Sequence, residues 1–204
     1  LFELADWCEK NKIYLITDES YDDFIFEDGF CSTTSMIIDS EYVIRTGSFS
    51  KSLSMSGWRV GFMVIPENLS KTIGIAQDGL INCPNVFAQH AVLYALDHPE
   101  ASEGFKTTIE KNRALTISIL QPLLKQNKKS FTIPPATFYL FIKTNEADSF
   151  DLCMDILNKA KVGLIPGRSF GESSKSYFRL CFARTEEVLK TGLERIINFY
   201  DENK

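Results

Sequence analysis

Short apolar segments that stop at polar side chains constrain the fold of this 204-residue chain most strongly. Leu1–Lys12 has the apolar spacing of an amphipathic helix, and Ile13–Ile16 follows as a short apolar run that ends at Thr17-Asp18. Tyr42–Thr46 is a second such run, which ends at Gly47-Ser48. A helix that leads into a wholly apolar strand is typical of parallel-sheet proteins, so the sequence predicts an α/β fold with buried strands.

The order of the later elements changes along the chain and predicts two domains. After Ser48 the sequence predicts a strand at Arg59–Ile65, helices at Pro66–Leu80, Pro84–Leu96 and Pro99–Gln126, strands at Phe131–Ile133, Phe138–Ile142, Val162–Ile165 and Tyr177–Phe182, and helices at Phe150–Ala160 and Glu186–Tyr200. The second half has the mixed order of an α+β layer. We therefore expect one domain at residues 1–105 and a smaller one at 106–204, with the boundary inside the long helix.

The composition is that of an ordinary globular protein, 44% hydrophobic and 24% charged, and it narrows the classes of partner. A net charge of -5 offers no basic surplus, so we expect no nucleic-acid binding. The apolar runs are too short to cross a bilayer, so we expect no membrane span. The five cysteines lack metal-ligand spacing, which predicts no metal site and no disulfide framework, and favours reduced thiols in the cytoplasm.

A lysine within a run of hydroxyl side chains is the main candidate for chemistry. Ser48-Phe49-Ser50-Lys51-Ser52 is followed by Gly57-Trp58-Arg59-Val60-Gly61. Hydroxyls and a guanidinium can hold a phosphate while the lysine amine attacks a carbonyl, as a phosphorylated aldehyde such as pyridoxal 5'-phosphate (PLP) requires. Thr17-Asp18-Glu19-Ser20-Tyr21 adds an acid and a phenol for the ring of that cofactor. Ligands of open α/β sheets bind outside the carboxyl ends of strands, so the two segments can converge.

Five motifs, in order along the chain, resemble the fold-type I, class I and II family of PLP-dependent aminotransferases. They are Ile16–Phe24, Ser48–Lys51 with Gly57–Gly61, Phe138–Phe141, Val162–Gly171 and Phe178–Ala183. The resemblance implies part of a large PLP-binding domain, whose parallel sheet contains one antiparallel strand, followed by a small α+β domain. It also implies transamination between an α-amino acid and a 2-oxo acid, in a homodimer.

The resemblance implies roles for three groups around the cofactor ring. Lys51 forms the covalent link to the cofactor and moves a proton at the substrate α-carbon. Asp18 pairs with the pyridine nitrogen, and Tyr21 donates a hydrogen bond to the ring oxygen. The plain alternatives are a surface lysine, a turn-capping aspartate and a tyrosine that packs on the sheet edge. Glu19 is interpreted as a structural neighbour of this site.

The resemblance also implies groups that bind the cofactor phosphate and the substrate carboxylate. Ser48, Ser50 and Arg59 hold the phosphate, and the guanidinium fork of Arg59 suits a bidentate contact. Arg179 binds the substrate carboxylate from within an apolar strand, where an arginine is costly unless it meets an anion. The alternatives are turn serines, an arginine in a salt bridge and an edge-strand arginine in solvent.

The family has an N-terminal half with a phosphate-binding glycine loop and an aromatic residue that stacks on the ring, and this sequence contains no counterpart. We therefore expect the chain to correspond to the C-terminal half of such an enzyme. Ala136 also departs from the family, which often has glycine there. Three alternatives stay open: a PLP-dependent carbon–sulfur lyase on the same scaffold, a catalytically incompetent fragment, and an α/β binding module unrelated to PLP.

Overall fold

The computed structural model describes residues 1–37, 40–126, 131 and 133–202, and it divides into two compact units. The first unit is Leu1–Lys106 and the second is Thr107–Lys204. The division falls inside one long helix, Glu100–Gln126. Each unit has its own small sheet, so each has its own structural framework.

The first unit is built on a sheet that joins a parallel pair to one antiparallel strand. Strands β1 (Leu15–Asp18), β2 (Val43–Ser48) and β3 (Gly61–Val64) lie in that order. β1 and β2 are parallel, with Asp18 opposite Thr46, and β3 returns antiparallel to β2. The predicted α/β class, with one antiparallel strand in a parallel sheet, is therefore confirmed.

Helices connect and follow these strands. They are α1 (Phe2–Asn11), α2 (Thr34–Ile37), α3 (Phe49–Ser52), a 3-10 turn at Ser56–Trp58, α4 (Glu67–Leu80), α5 (Val86–Asp97) and α6 (Glu100–Gln126). The sequence prediction missed α2 and α3, because one helical turn is too short to show a periodic apolar pattern. Within the described parts of the chain, none of the helices combines the length and apolar composition needed to cross a bilayer.

Two apolar clusters hold the first unit together. One packs α1 and α2 against β2, and the other packs α5 against the segment before β3. Each well-buried apolar side chain stabilises the fold by about 1.5–3 kcal/mol. The buried members are Ala5, Met36, Ile37 and Val43 in the first cluster and Met55, Val60, Ala88 and Val92 in the second.

The second unit contains an antiparallel sheet with a buried face. Strands β4 (Tyr139–Lys143), β5 (Ile165–Pro166) and β6 (Tyr177–Cys181) lie in the order β4-β6-β5. On β6 the side chains of Phe178 and Leu180 are buried, while Arg179 between them lies on the other face. The remaining helices are α7 (Phe150–Asp155), which continues as a π-helical turn at Ile156–Ala160, and α8 (Glu186–Glu202).

Helix α6 is tied to the end of β6 by a buried amide. Asn112 is 1% exposed, and its Nδ2 donates to the backbone oxygens of Phe182 at 2.9 Å and Arg184 at 2.7 Å. A buried amide that finds both acceptors avoids a desolvation cost of about 1–3 kcal/mol. These bonds fix the chain where it leaves the strand that carries Arg179.

The predicted strand at Ile13–Ile16 differs from the structure in position and burial. β1 begins two residues later, and Ile16 is 64% exposed instead of buried. The reason is that β1 is the edge strand of its sheet, so its outer face is not covered within the described chain. The sequence pattern correctly indicates a strand, but burial depends on neighbouring elements.

Three further strand predictions need correction or restriction. Arg59 is not part of β3, because its backbone is left-handed, with φ 54°, and cannot continue a strand. Of Val162–Ile165 only Ile165 is in a strand, where it pairs with Arg179. The prediction at Phe131–Ile133 includes Thr132, which lies outside the described residues, although Phe131 forms an isolated bridge to Ile142.

Large apolar side chains are exposed mainly in the first unit. Leu80 is 84% exposed, Phe87 81% and Ile75 66%, on or beside α4 and α5. Large apolar side chains that are this exposed on two successive helices favour association, because burial removes their apolar area from water. We therefore expect the isolated 204-residue chain to self-associate through this surface.

This expectation can be checked by size-exclusion chromatography with light scattering across a concentration series. The chain should elute as oligomers, and the double change Leu80→Glu with Phe87→Glu should shift it towards monomer, because a charge on each apolar site opposes burial. Val188→Glu, at an exposed apolar position of α8, is the matched control. A concentration-independent monomer of the unaltered chain would contradict the expectation.

Candidate active site at the sheet edge

Parallel pairing brings the two candidate segments to one edge of the first sheet. Asp18 is the last residue of β1 and pairs with Thr46, and Ser48 ends β2 two residues later. Neighbouring strands lie about 4.8 Å apart, and parallel strands end on the same side. Asp18 and the Ser48–Lys51 segment therefore occupy the same carboxyl edge of the sheet.

The turn after β2 holds Lys51 close to the strand end. Ser48 is the N-cap of α3, and its Oγ accepts a hydrogen bond from Ser50 N at 3.2 Å. Lys51 is on this single helical turn and is half-buried. It takes part in none of the ion pairs formed among the described residues. Its amine therefore has no carboxylate counter-ion in that part of the chain.

Arg59 is linked to α3 through a serine that sequence reasoning did not single out. Ser56 Oγ donates to Ser50 O at 2.9 Å, and Ser56 O accepts from Arg59 Nη1 at 3.0 Å. Ser56 therefore connects Ser50 to Arg59 through two hydrogen bonds. The sequence signal for this link is weak, because Ser56 is one of three serines between Ser50 and Arg59.

Close contact between β2 and β3 requires glycine. A Cβ added at Gly47 would lie 2.3 Å from Phe62 Cζ, and one at Gly61 would lie 2.7 Å from Gly47 O. Both distances are shorter than a carbon atom tolerates. The glycines therefore allow β3 to pack directly beside the strand end that carries Ser48.

The turn after β1 orients Asp18 and leaves part of its carboxylate available. Asp18 Oδ1 accepts hydrogen bonds from Ser20 N at 3.0 Å and from Ser20 Oγ. Asp18 Oδ2 has no hydrogen bond within the described residues, and the residue is exposed. Tyr21 follows in the same turn, half-buried, with its backbone oxygen accepting from Phe24 N at 2.9 Å.

A buried carboxylate anchors this turn to β2. Glu19 accepts from Thr33 N at 2.8 Å, from Ser32 Oγ at 2.6 Å and from Arg45 Nε at 2.7 Å. Burial raises the pKa of Glu19, but these hydrogen bonds outweigh burial and hold the pKa below its ordinary value of 4.5. Arg45 also pairs with Asp22. Glu19 is therefore a structural residue, and its partner Arg45 was not predictable from spacing.

The pKa of Asp22 shifts in the opposite direction to that of Glu19, although both carboxylates contact Arg45. Burial and the neighbouring charge of Asp23 raise the pKa of the Asp22 carboxyl above its ordinary value, despite the contact with Arg45. The two carboxylates that share Arg45 are thus unequal, and Glu19 is the one held in its charged form.

Arg179 lies in a cavity of the second unit. On β6 it pairs with Phe141 of β4 and Ile165 of β5. Its guanidinium carbon lies 4.2 Å from the ring centre of Tyr139 and 5.0 Å from that of Phe170. Its Nε is buried without a hydrogen-bond partner.

The cavity in front of Arg179 has a volume of about 580 Å³. Five aromatic rings line it together with this guanidinium: Phe131, Tyr139, Phe141, Phe170 and Tyr177. A buried N–H without an acceptor is rare in folded proteins and suits an anionic ligand. The cavity can therefore hold a carboxylate that carries an apolar group.

The polar groups at the edge of the first sheet suit PLP. The amine of Lys51 has no counter-ion among the described residues, and Asp18 has an oxygen without a partner there. Arg59 makes one backbone contact, which leaves the rest of its fork for a phosphate. An amine, a carboxylate, a guanidinium and hydroxyls are the donor set that a phosphorylated pyridine aldehyde needs.

Comparison with known proteins agrees with this geometry. The model of the family "Aminotransferase class I and II" matches residues 1–196. Aspartate aminotransferase of Thermotoga maritima is 32% identical over 196 residues, which are 96% of this chain and 50% of the relative. Aromatic-amino-acid aminotransferase 2 of Thermococcus litoralis is 29% identical, over 100% of this chain and 53% of the relative.

A solved structure shows the same fold. The crystal structure of Thermotoga maritima aspartate aminotransferase superposes with a TM-score of 0.83 at 31% identity, and the match covers 97% of this chain and 50% of that one. The chain belongs to the class I and II aminotransferase family. It spans about half the length of the curated relatives it matches.

The Glu19–Arg45 pair predicts how stability depends on pH. The folded-state pKa of Glu19 is lowered, so its contribution is present above its ordinary value of 4.5 and is lost as the pH falls through the lowered value. Glu19→Gln should cost about 1–3 kcal/mol of unfolding free energy at neutral pH. In this variant, the unfolding free energy should also fall less steeply as the pH decreases from about 5 to about 3.

Urea unfolding at a series of pH values measures this effect. Glu3→Gln, which removes an exposed carboxylate of α1, is the matched control and should keep the acid slope of the unaltered chain. Equal slopes in the Glu19→Gln variant and the unaltered chain would show that Glu19 is not held charged by the fold.

Proposed function

We propose that this chain supplies cofactor- and carboxylate-binding residues of a PLP-dependent aminotransferase that transfers an amino group from an α-amino acid to a 2-oxo acid. Membership of the family supports the reaction class. The activity of the whole protein is a proposal, because the chain spans about half of its relatives. The observation that carries it is the location of Asp18 and Lys51 at one carboxyl edge of the sheet.

Three residues of the first unit would have different roles at the cofactor ring. When bound, PLP supplies an electron sink for the electron pair left at the substrate α-carbon. Asp18 accepts a hydrogen bond from the ring nitrogen and keeps it protonated. Lys51 Nζ would bind the aldehyde carbon with loss of water, and once the substrate amine had replaced it there, the freed Nζ would accept the proton of the substrate α-carbon. The phenolic O–H of Tyr21 would donate a hydrogen bond to the ring oxygen.

Anion binding falls to separate groups. Ser48, Ser50 and Arg59 hold the phosphate, and the Ser56 link supports Ser50 and Arg59 acting together. Arg179 binds the substrate carboxylate, a role supported by its unpartnered buried Nε. The aspartate and aromatic names of the relatives leave the side chain of the amino acid open.

The chain contains parts of two domains of such an enzyme. We infer that residues 1–105 are the C-terminal part of the large PLP-binding domain and 106–204 the small domain. The division of the structure into Leu1–Lys106 and Thr107–Lys204 supports this assignment. The homodimer and the cytoplasmic location are further parts of the proposal. The homodimer rests on the family resemblance, and the location on five cysteines that are all free thiols.

Covalent labelling tests the cofactor assignment. When the chain is incubated with PLP and reduced with borohydride, peptide mass spectrometry should find one pyridoxyl phosphate group on Lys51, and Lys51→Ala should remove it. Lys71→Ala, which changes an exposed lysine of α4, is the matched control and should leave labelling intact. Labelling spread evenly over the surface lysines would contradict a PLP site at Lys51.

Product analysis tests the reaction class. With PLP and an α-amino acid, a transaminase converts the amino acid to its 2-oxo acid and leaves the amino group on the cofactor, in equal amounts. Chromatography of both products should show this stoichiometry in the protein that contains this chain. Release of ammonia together with sulfide from a sulfur-containing amino acid would instead indicate a carbon–sulfur lyase.

A further inference from the structure

A buried serine joins three segments around the Arg179 cavity. Ser149 precedes α7 and is 0% exposed. Its Oγ donates to Tyr177 O at 2.5 Å and accepts from Gly167 N at 3.2 Å. Its backbone nitrogen donates to Lys175 O at 2.8 Å. One hydroxyl therefore connects the start of α7, the start of β6 and the 3-10 turn Gly167–Phe170.

The start of the 3-10 turn packs directly against the backbone of Ser174 and Tyr177. A Cβ added at Gly167 would lie 1.8 Å from Ser174 O and 2.5 Å from Tyr177 O. Arg168, the next residue, pairs with Asp148 through its Nε at 3.2 Å and its Nη2 at 2.7 Å. The start of the turn is thus fixed by the Ser149 hydroxyl and by an ion pair one residue away.

The end of the same turn forms one wall of the Arg179 site. Phe170 lies 5.0 Å from the Arg179 guanidinium and meets Phe141 edge-on at 5.5 Å. Phe141 in turn stacks on Tyr177 at 4.9 Å. The Ser149 bond to Tyr177 O and its bond to Gly167 N therefore act on both sides of this aromatic wall.

We propose that Ser149 is a positioning residue for carboxylate binding at Arg179, acting through the turn Gly167–Phe170. This inference rests on the proposed role of Arg179 as the carboxylate ligand. With the turn in place, Phe170 covers one side of the guanidinium and keeps water from it, and a charge pair is stronger where water is excluded. Without the hydroxyl, Gly167 N loses its acceptor and Phe170 moves away from the guanidinium.

The test measures carboxylate binding by the 204-residue chain. The probe is 3-phenylpropionate, which carries an aromatic group for the aromatic cavity, and its neutral amide reports the part of binding that does not involve charge. Titration followed by NMR should show that Ser149→Ala weakens binding of the carboxylate by about three- to tenfold. Binding of the amide should be unchanged, so the ratio of the two affinities should fall.

Thr144→Val provides the matched control. Thr144 Oγ1 donates to Ser176 O at 2.9 Å, and the residue is 5% exposed, so this change also removes a buried hydroxyl bond to the segment before β6. It makes no contact with Gly167 among the hydrogen bonds of the described residues. Thermal unfolding should show loss of stability in both variants, while only Ser149→Ala lowers the affinity ratio.

Arg179→Gln separates failure of this inference from failure of the proposed function. If Arg179→Gln abolishes carboxylate binding and Ser149→Ala leaves the affinity ratio unchanged, the positioning role is wrong and the role of Arg179 stands. If Arg179→Gln binds the carboxylate as the unaltered chain does, the carboxylate role fails and the inference with it. If Thr144→Val lowers the ratio of carboxylate to amide affinity as much as Ser149→Ala does, then Ser149 contributes only to general stability. That result would overturn the proposal.

A second variant covers the case in which Ser149→Ala does not fold. Asp148→Asn weakens the half-exposed ion pair with Arg168, keeps an amide oxygen that can accept from Phe150 N, and leaves the buried hydroxyl in place. It should lower the affinity ratio by about twofold, because exposed ion pairs contribute little. An unchanged ratio in a folded Asp148→Asn chain that binds the carboxylate through Arg179 would overturn the role of the turn.

Discussion

Parallel pairing of β1 with β2 is the constraint on which the first unit depends. The register sets Asp18 beside Thr46, so everything that follows the two strands emerges at one edge. The ion pair between Glu19, which directly follows β1, and Arg45 of β2 holds that register, because each of these buried charges needs its partner in place. A shift by one residue would separate these charges and turn Asp18 to the other face.

In the second unit the main constraint is the position of a charged residue, Arg179, within the otherwise apolar strand β6. Arg179 lies between Phe141 and Ile165 on the neighbouring strands, and two aromatic rings cover its guanidinium. The rings offset part of the cost of removing the charge from water, but they cannot supply an acceptor for its Nε. The two rings therefore stabilise the buried guanidinium, and its Nε still has a free N–H that can donate to an anion.

Much of the architecture could be predicted from the sequence, because local patterns encode it. The apolar runs before Asp18 and Ser48 mark strands, and alternation around Arg179 separates its face from the buried one. Predictions failed where a residue depends on distant neighbours. Ile16 is exposed because β1 is an edge strand, and Val162 lies outside β5 although it belongs to the mostly apolar run Val162–Ile165.

By itself, the sequence determined which chemical groups are present and on which strand ends they lie, since strand period and end signals are properties of adjacent residues. It therefore identified Lys51 and Asp18 as candidates, and the resemblance of the strand around Arg179 to the family added that arginine. Only the tertiary structure decided what holds them. The pairing of Glu19 with Arg45 and the bonds that converge on Ser149 join residues far apart in the chain. Such contacts depend on how the chain returns to itself in space, and no local pattern records that.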